Sequence, residues 1–136
     1  MSENSTDLFL GIDIGGTKCA VVLGDSTFTI KRKIFFETRV ERGWQTIVAE
    51  FQQHIDLILK DFPDGSLKRI GISCGGPLDS KKGMIYSPPN LPGWDEVPIV
   101  DIFTKKYGVK TAVQNDANAC ALAEWMMGAG KGTSNM

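Results

Sequence analysis

The stretch LGIDIGGTK, Leu10 to Lys18, runs an apolar segment into an aspartate, two glycines, a threonine and a lysine. These residue types suit either a cradle for phosphate or a tight hairpin turn. Glycines lack Cβ, so backbone N–H groups beside them can approach an anion closely. Thr17 adds a hydroxyl donor and Lys18 a cation. Asp13 does not attract phosphate, but it can hold a hydrated Mg²⁺ that does. A turn needing φ > 0 explains an isolated Gly-Gly more simply, so the surrounding sequence has to decide.

Bulk properties narrow the field. The 136 residues suit one ordinary domain, with 42% hydrophobic and 23% charged residues, as in soluble globular proteins. A net charge of −1 gives no electrostatic footprint for nucleic acid or acidic lipid. Cys19, Cys74 and Cys120 are far apart and each lies in an apolar run, so they read as small buried hydrophobes rather than disulfide or zinc ligands. The polar N-terminus is no secretory signal and no apolar run approaches a membrane span, so a cytoplasmic protein is expected.

Moving outward from Gly15–Gly16, residues 7–14, 18–24 and 27–37 read as three strands of an antiparallel meander. Trp44, Ile47, Val48, Phe51, Ile55, Ile58, Leu59 and Phe62 then recur at helical spacing and predict a helix over 43–61. His54 falls beside that stripe as a boundary residue. A strand follows at 67–74, then an irregular stretch at 75–97. A helix IVDIFTKKY is expected with Pro98 in its first turn, then a strand VKTAVQ and a helix from Asn115 or Asp116 to Gly128. The order β-β-β-α-β-α-β-α predicts an α/β fold with a mixed sheet. The divisions expected are a disordered tail at 1–7, a lobe at 8–128 and a truncated linker at 129–136.

Known phosphate fingerprints do not fit. G-x-x-x-x-G-K-[ST] fails because Gly16 is followed by Thr17, and GAGKG in the tail completes neither that motif nor G-x-G-x-x-G. Two further constellations carry chemistry. In QNDANA, 114–119, Asn115 and Asp116 suit a helix N-cap, but a carboxylate at the end of a buried strand can also accept a proton from a substrate hydroxyl. In SCGGPLDSKKGMIYSPPNLPGW, 73–94, glycines admit a ligand to the backbone. Asn90 suits a sugar hydroxyl or a purely structural bond, and Trp94 reads as an anchor.

Together GIDIGGTK, GISCGGPLDSKKGMIYSPPNLPGW and VQNDANACALAEWMMGAGKG resemble the ROK family of sugar kinases and sugar-responsive repressors, over about Leu8 to Gly132. The resemblance implies one lobe of an actin-like ATPase (ribonuclease H-like) fold that closes on ATP and a sugar. By that likeness Asp13, Gly15, Gly16, Thr17 and Lys18 fall on the ATP phosphate loop, with Asp13 on the Mg²⁺ side. Asp116 falls on the general base for the sugar hydroxyl, and Asn115, Gly76 and Asn90 on the sugar side. The implied reaction moves the γ-phosphoryl of ATP to a hexose hydroxyl, the 6-OH, of glucose or an N-acetylated aminosugar.

Family members continue into a second lobe with the adenosine site and, in many, a Cys/His zinc motif. Zinc is expected only there, homodimerisation only in the longer parent, and little or no kinase activity in these residues alone. The alternative is a sugar-sensing transcriptional regulator without kinase activity. The short polar stretch before the first strand, with no basic helix, favours the kinase.

Overall fold

A computed structural model describes residues 7–27, 29–75 and 77–115. Strand β1, Leu8–Ile14, is buried at every position except Asp13. Such a run, apolar on both faces, belongs in the middle of a sheet. It pairs antiparallel with β2, Lys18–Asp25, which pairs antiparallel with β3, Ile30–Glu37. On its other side β1 pairs in parallel with β4, Leu67–Cys74, and β4 with β7, Lys110–Asn115. The sheet order is therefore β3-β2-β1-β4-β7, with the meander at one end.

Register puts Leu10, Ile12 and Ile14 beside Leu23, Val21 and Cys19 on one flank and Ile70, Ile72 and Cys74 on the other. Helix α1, Trp44–Leu59, turns Ile47, Val48, Phe51, Ile55 and Ile58 into the same core. Phe36 of β3 meets Phe51 edge-on at 4.8 Å. Burying a side chain of this size contributes about 2–3 kcal/mol. Helix α2, Ile99–Tyr107, adds Ile99 and Phe103. Tyr107 ties α2 to α1 by donating its hydroxyl to Asp56, 3.0 Å away.

Four local expectations are corrected. Strand β3 starts at Ile30, not at residue 27, because the Asp25 carboxylate captures Thr27 and Thr29 in a turn. Pro98 is the N-cap of α2 rather than part of its first turn. Helix α1 is shorter at both ends than 43–61, with Gly43 as its N-cap and a 3-10 turn, Val40–Arg42, ahead of it. The stretch 75–97 contains a small hairpin, β5 at Leu78–Asp79 and β6 at Met84–Ile85, which period alone did not reveal. The helix expected after residue 115 and both tails lie outside the described residues. Among the described residues, no helix is long and apolar enough to cross a membrane.

Candidate functional site

Strands β1 and β4 lie side by side and parallel, yet the chain leaves their carboxyl ends for different neighbours. The chain leaves β1 toward β2 and leaves β4 toward the β5–β6 hairpin. Open α/β sheets bind ligands in the crevice that such a divergence creates. Asp13 and Ser73 are register partners across this crevice, and Gln114 lies beside Ser73. Asn115 pairs with Cys74 one step further along, so the backbone of Gln114 and Asn115 reaches the same end of the sheet as Asp13 and Ile14. Asp116 and Gly76 lie outside the described residues, as does the side chain of Asn115.

The β1–β2 turn does not have the geometry of an ordinary left-handed glycine turn. Neither Gly15 nor Gly16 has a left-handed φ, so backbone sign does not explain them. Space does. A Cβ on Gly15 would lie 2.5 Å from the Lys18 carbonyl oxygen, and one on Gly16 would lie 2.7 Å from the Asn90 carbonyl oxygen. Gly15 donates its N–H to the Lys18 carbonyl at 3.1 Å, while Thr38 donates its hydroxyl to Gly15 O and its amide to Thr17 O. Three carbonyls of the turn are thus satisfied. Among the described residues no acceptor takes the amide of Gly16 or Thr17. A turn with occupied carbonyls and open amides favours an anion.

Asn90 reaches this turn from far along the chain. Besides crowding Gly16, its Oδ1 lies 3.6 Å from where a Cβ of Gly75 would stand. The loop that carries it is pinned at its base. Ile85 and Val97 exchange both backbone bonds at 2.9 Å, and Leu91, Trp94 and Val97 are fully buried. Trp94 is therefore an anchor, while Asn90 at the loop tip is exposed. Behind the turn, burial pushes the Cys19 thiol up. Burial, with Asp13 and Cys19 nearby, pushes Cys74 up to about 12. Both stay as neutral apolar thiols.

The family model of the ROK family matches residues 9–136. The chain belongs to the ROK family. It is 34% identical to a glucokinase of Thermotoga maritima over 123 residues, covering 90% of this chain and 38% of that protein. It superposes with a TM-score of 0.71 and 30% identity on a ROK family glucokinase from Streptomyces griseus solved with glucose and AMPPNP, over 92% of this chain and 38% of that one. It is also 25% identical to a xylose repressor of Bacillus spizizenii, over 93% of this chain and 33% of the repressor. The chain thus spans about 38% of the length of the first two relatives. The fold is the actin-like ATPase type of ROK sugar kinases.

Of the expected site residues in this ROK chain, the structure brings Asp13, Gly15, Gly16, Thr17, Lys18 and Asn90 to one end of the sheet, with the backbone of Asn115 alongside. No motif or period in the sequence pointed to Thr38. It follows the last residue of β3 between Glu37 and Arg39, and nothing in that run marks it as fully buried. Among the described residues no three His, Cys, Asp or Glu side chains cluster as a metal cage. A hydrated Mg²⁺ needs none, since one or two carboxylates and the substrate's phosphates hold it, and half-buried Asp13 at the crevice suits that role.

Proposed function

We propose that this chain is the N-terminal lobe of an ATP-dependent hexose kinase that transfers the γ-phosphoryl group of ATP to a sugar hydroxyl. One observation carries the reading. Asn90, on the expected sugar-side loop, lies against both Gly16 of the glycine turn and Gly75 at the end of β4. Phosphate-directed amides and a sugar-suited amide side chain thereby share one crevice. The names of the relatives support it, since glucokinases and a kinase of N-acetylmannosamine are among them.

In this reading the open amides of Gly16 and Thr17, the Thr17 hydroxyl and Lys18 hold phosphate oxygens. Asp13 carries a hydrated Mg²⁺, which when bound neutralises phosphate charge. Gly76 and Asn90 orient the sugar, with Asn115 beside them. Asp116 accepts the proton of the attacking hydroxyl. An ionised aspartate is a weak base, but phosphoryl transfer depends mainly on positioning and charge neutralisation. The second lobe supplies the adenosine site, so residues 1–136 alone do not phosphorylate sugar. The protein works in the cytoplasm, and the longer parent is a homodimer.

The xylose repressor supports a second reading, a sugar sensor without transfer chemistry. One assay separates the two. The complete translated product containing this chain is incubated with ATP, Mg²⁺ and glucose or N-acetylmannosamine, and ADP release is followed. Turnover is expected, with Asp116→Ala abolishing it while sugar binding remains measurable by calorimetry. Sugar binding without ADP release would establish the sensor, and normal turnover by Asp116→Ala would remove that residue from the base role.

A further inference from the structure

Thr38 is fully buried although it is polar, and it uses every polar group it has. Its hydroxyl lies 2.6 Å from the Gly15 carbonyl and 3.2 Å from the Cys19 sulfur. A hydroxyl has one proton. The shorter contact takes it, because a carbonyl can only accept, and the neutral Cys19 thiol then donates to the Thr38 oxygen. The Thr38 amide donates to Thr17 O at 2.8 Å, and its own carbonyl accepts from Arg42 Nη2 at 2.8 Å.

Arg42 is fixed in turn. Its Nη1 lies 2.7 Å from Glu50 on α1, and His54 donates Nε2–H to the same carboxylate at 3.1 Å. Burial works against the Glu50 charge, but hydrogen bonds from Arg42 and His54 hold its carboxyl below the usual range. A continuous polar chain therefore runs from helix α1 through Glu50, Arg42 and Thr38 to both sides of the glycine turn. It grips the turn only by its carbonyls, which leaves the amides of Gly16 and Thr17 without an acceptor among the described residues.

We infer that Thr38 is the positioning residue of the phosphate-binding turn, holding the Gly15 and Thr17 carbonyls inward so that the turn amides are presented to a bound polyphosphate. The inference rests on the phosphate reading of the turn given above. Thr38 does not touch the ligand. It acts through Gly15 and Thr17, with Arg42 and Glu50 keeping it in place.

The test compares Thr38→Val, which keeps shape but loses the hydroxyl, with Thr38→Ser, which keeps the hydroxyl. Amide hydrogen exchange of the protein is read by NMR at Gly15 and Thr38, with Ile12 and Ile72 as core controls. Removing one buried hydrogen bond should speed exchange about tenfold at Gly15 and Thr38 in Thr38→Val, leave the controls unchanged, and be restored to within about threefold by Thr38→Ser. Titration with Mg²⁺ and AMPPNP should show affinity about tenfold weaker for Thr38→Val and within about threefold of the parent for Thr38→Ser.

Arg42→Gln repeats the exchange test through a partly exposed side chain and should give a smaller, equally local increase. Equal exchange in Thr38→Val and the parent, or Thr38→Ser behaving like Thr38→Val, overturns the inference. So does exchange that rises uniformly across the core. Absence of any AMPPNP-dependent shift in the parent overturns the phosphate reading, while the exchange comparison still decides whether Thr38 holds the turn.

Discussion

The meander contains two successive hairpin turns, and they close in opposite ways. Between β2 and β3, the Asp25 carboxylate accepts from the Thr27 amide at 2.9 Å, the Thr27 hydroxyl at 2.6 Å and the Thr29 amide at 3.1 Å. That turn supplies its own negative charge and satisfies the amides of Thr27 and Thr29 with it. Between β1 and β2 the carbonyls are the satisfied groups. The Lys18 carbonyl accepts from the Gly15 amide within the turn, the Gly15 and Thr17 carbonyls accept from Thr38 outside it, and the amides of Gly16 and Thr17 have no acceptor among the described residues. A turn that closes on its own carboxylate is a structural device. A turn that borrows support to keep its donors open is arranged for something else, and an anion is what donors attract.

The sharpest way to break this contrast is to fill the space at Gly16. In Gly16→Ala the new Cβ would meet the Asn90 carbonyl oxygen at 2.7 Å and the Asn90 Cβ at 2.9 Å. The first contact is backbone, so no side-chain rotation relieves it. Overpacking of this kind costs about 2 kcal/mol. The larger consequence falls on function: affinity for Mg²⁺ and AMPPNP should drop more than about tenfold, because the turn and the Asn90 loop must move apart. Calorimetric titration checks the affinity and urea unfolding checks the stability. Parent-like affinity in a folded Gly16→Ala would show that the Gly16–Asn90 contact has no part in presenting the turn.

How much of this could be read in the sequence follows from the range of the interactions. The β1 run DLFLGIDI and the α1 stripe were legible because burial on two faces or on one leaves a local period. The end of α2 was legible for a related reason, since Gly108 takes the left-handed conformation that glycine favours after a helix. The glycine pair was legible as unusual, but not for the right reason: the neighbours that exclude a Cβ are Lys18 and, 74 positions away, Asn90. Thr38 was illegible because its burial depends on the β1–β2 turn and the 3-10 turn closing around it. The Asp25–Thr27–Thr29 turn misled because threonines favour strands, and the competing side-chain bond to the backbone won.

The second turn gives the control of intermediate size. Asp25→Ala removes three acceptor bonds and exposes two amides that solvent can reach in part, so it should cost about 1–2 kcal/mol of stability. The ion pair with Lys31 at 3.4 Å adds little, because Lys31 is exposed. Urea unfolding should show the loss, and titration with Mg²⁺ and AMPPNP should be unchanged. A loss of affinity comparable to that of Gly16→Ala would erase the distinction between the two turns, since damage to either would then act through the meander as a whole.

The smallest effect is a pH dependence, and its sign follows from the same three bonds. Burial works to raise the Asp25 pKa, but the hydrogen bonds from Thr27 and Thr29, with Lys31 alongside, outweigh it and hold the carboxyl below its ordinary value of 3.8. The folded protein therefore favours the ionised form more than the unfolded chain does. The contribution is fully present above the unfolded pKa and is lost as pH falls through the lower, folded value. Between pH 7 and pH 5 the stability gap between the parent and Asp25→Asn should stay constant. Below about pH 4 it should narrow, because only the parent has a carboxylate to protonate. The Gly15–Thr17 turn has no carboxylate among its own residues, so Thr38→Val should show no such narrowing relative to the parent. Urea midpoints for the three proteins from pH 7 to pH 3 make the comparison. Parallel curves for parent and Asp25→Asn throughout would mean that the carboxylate charge does not close the second turn, and that a neutral amide acceptor serves as well.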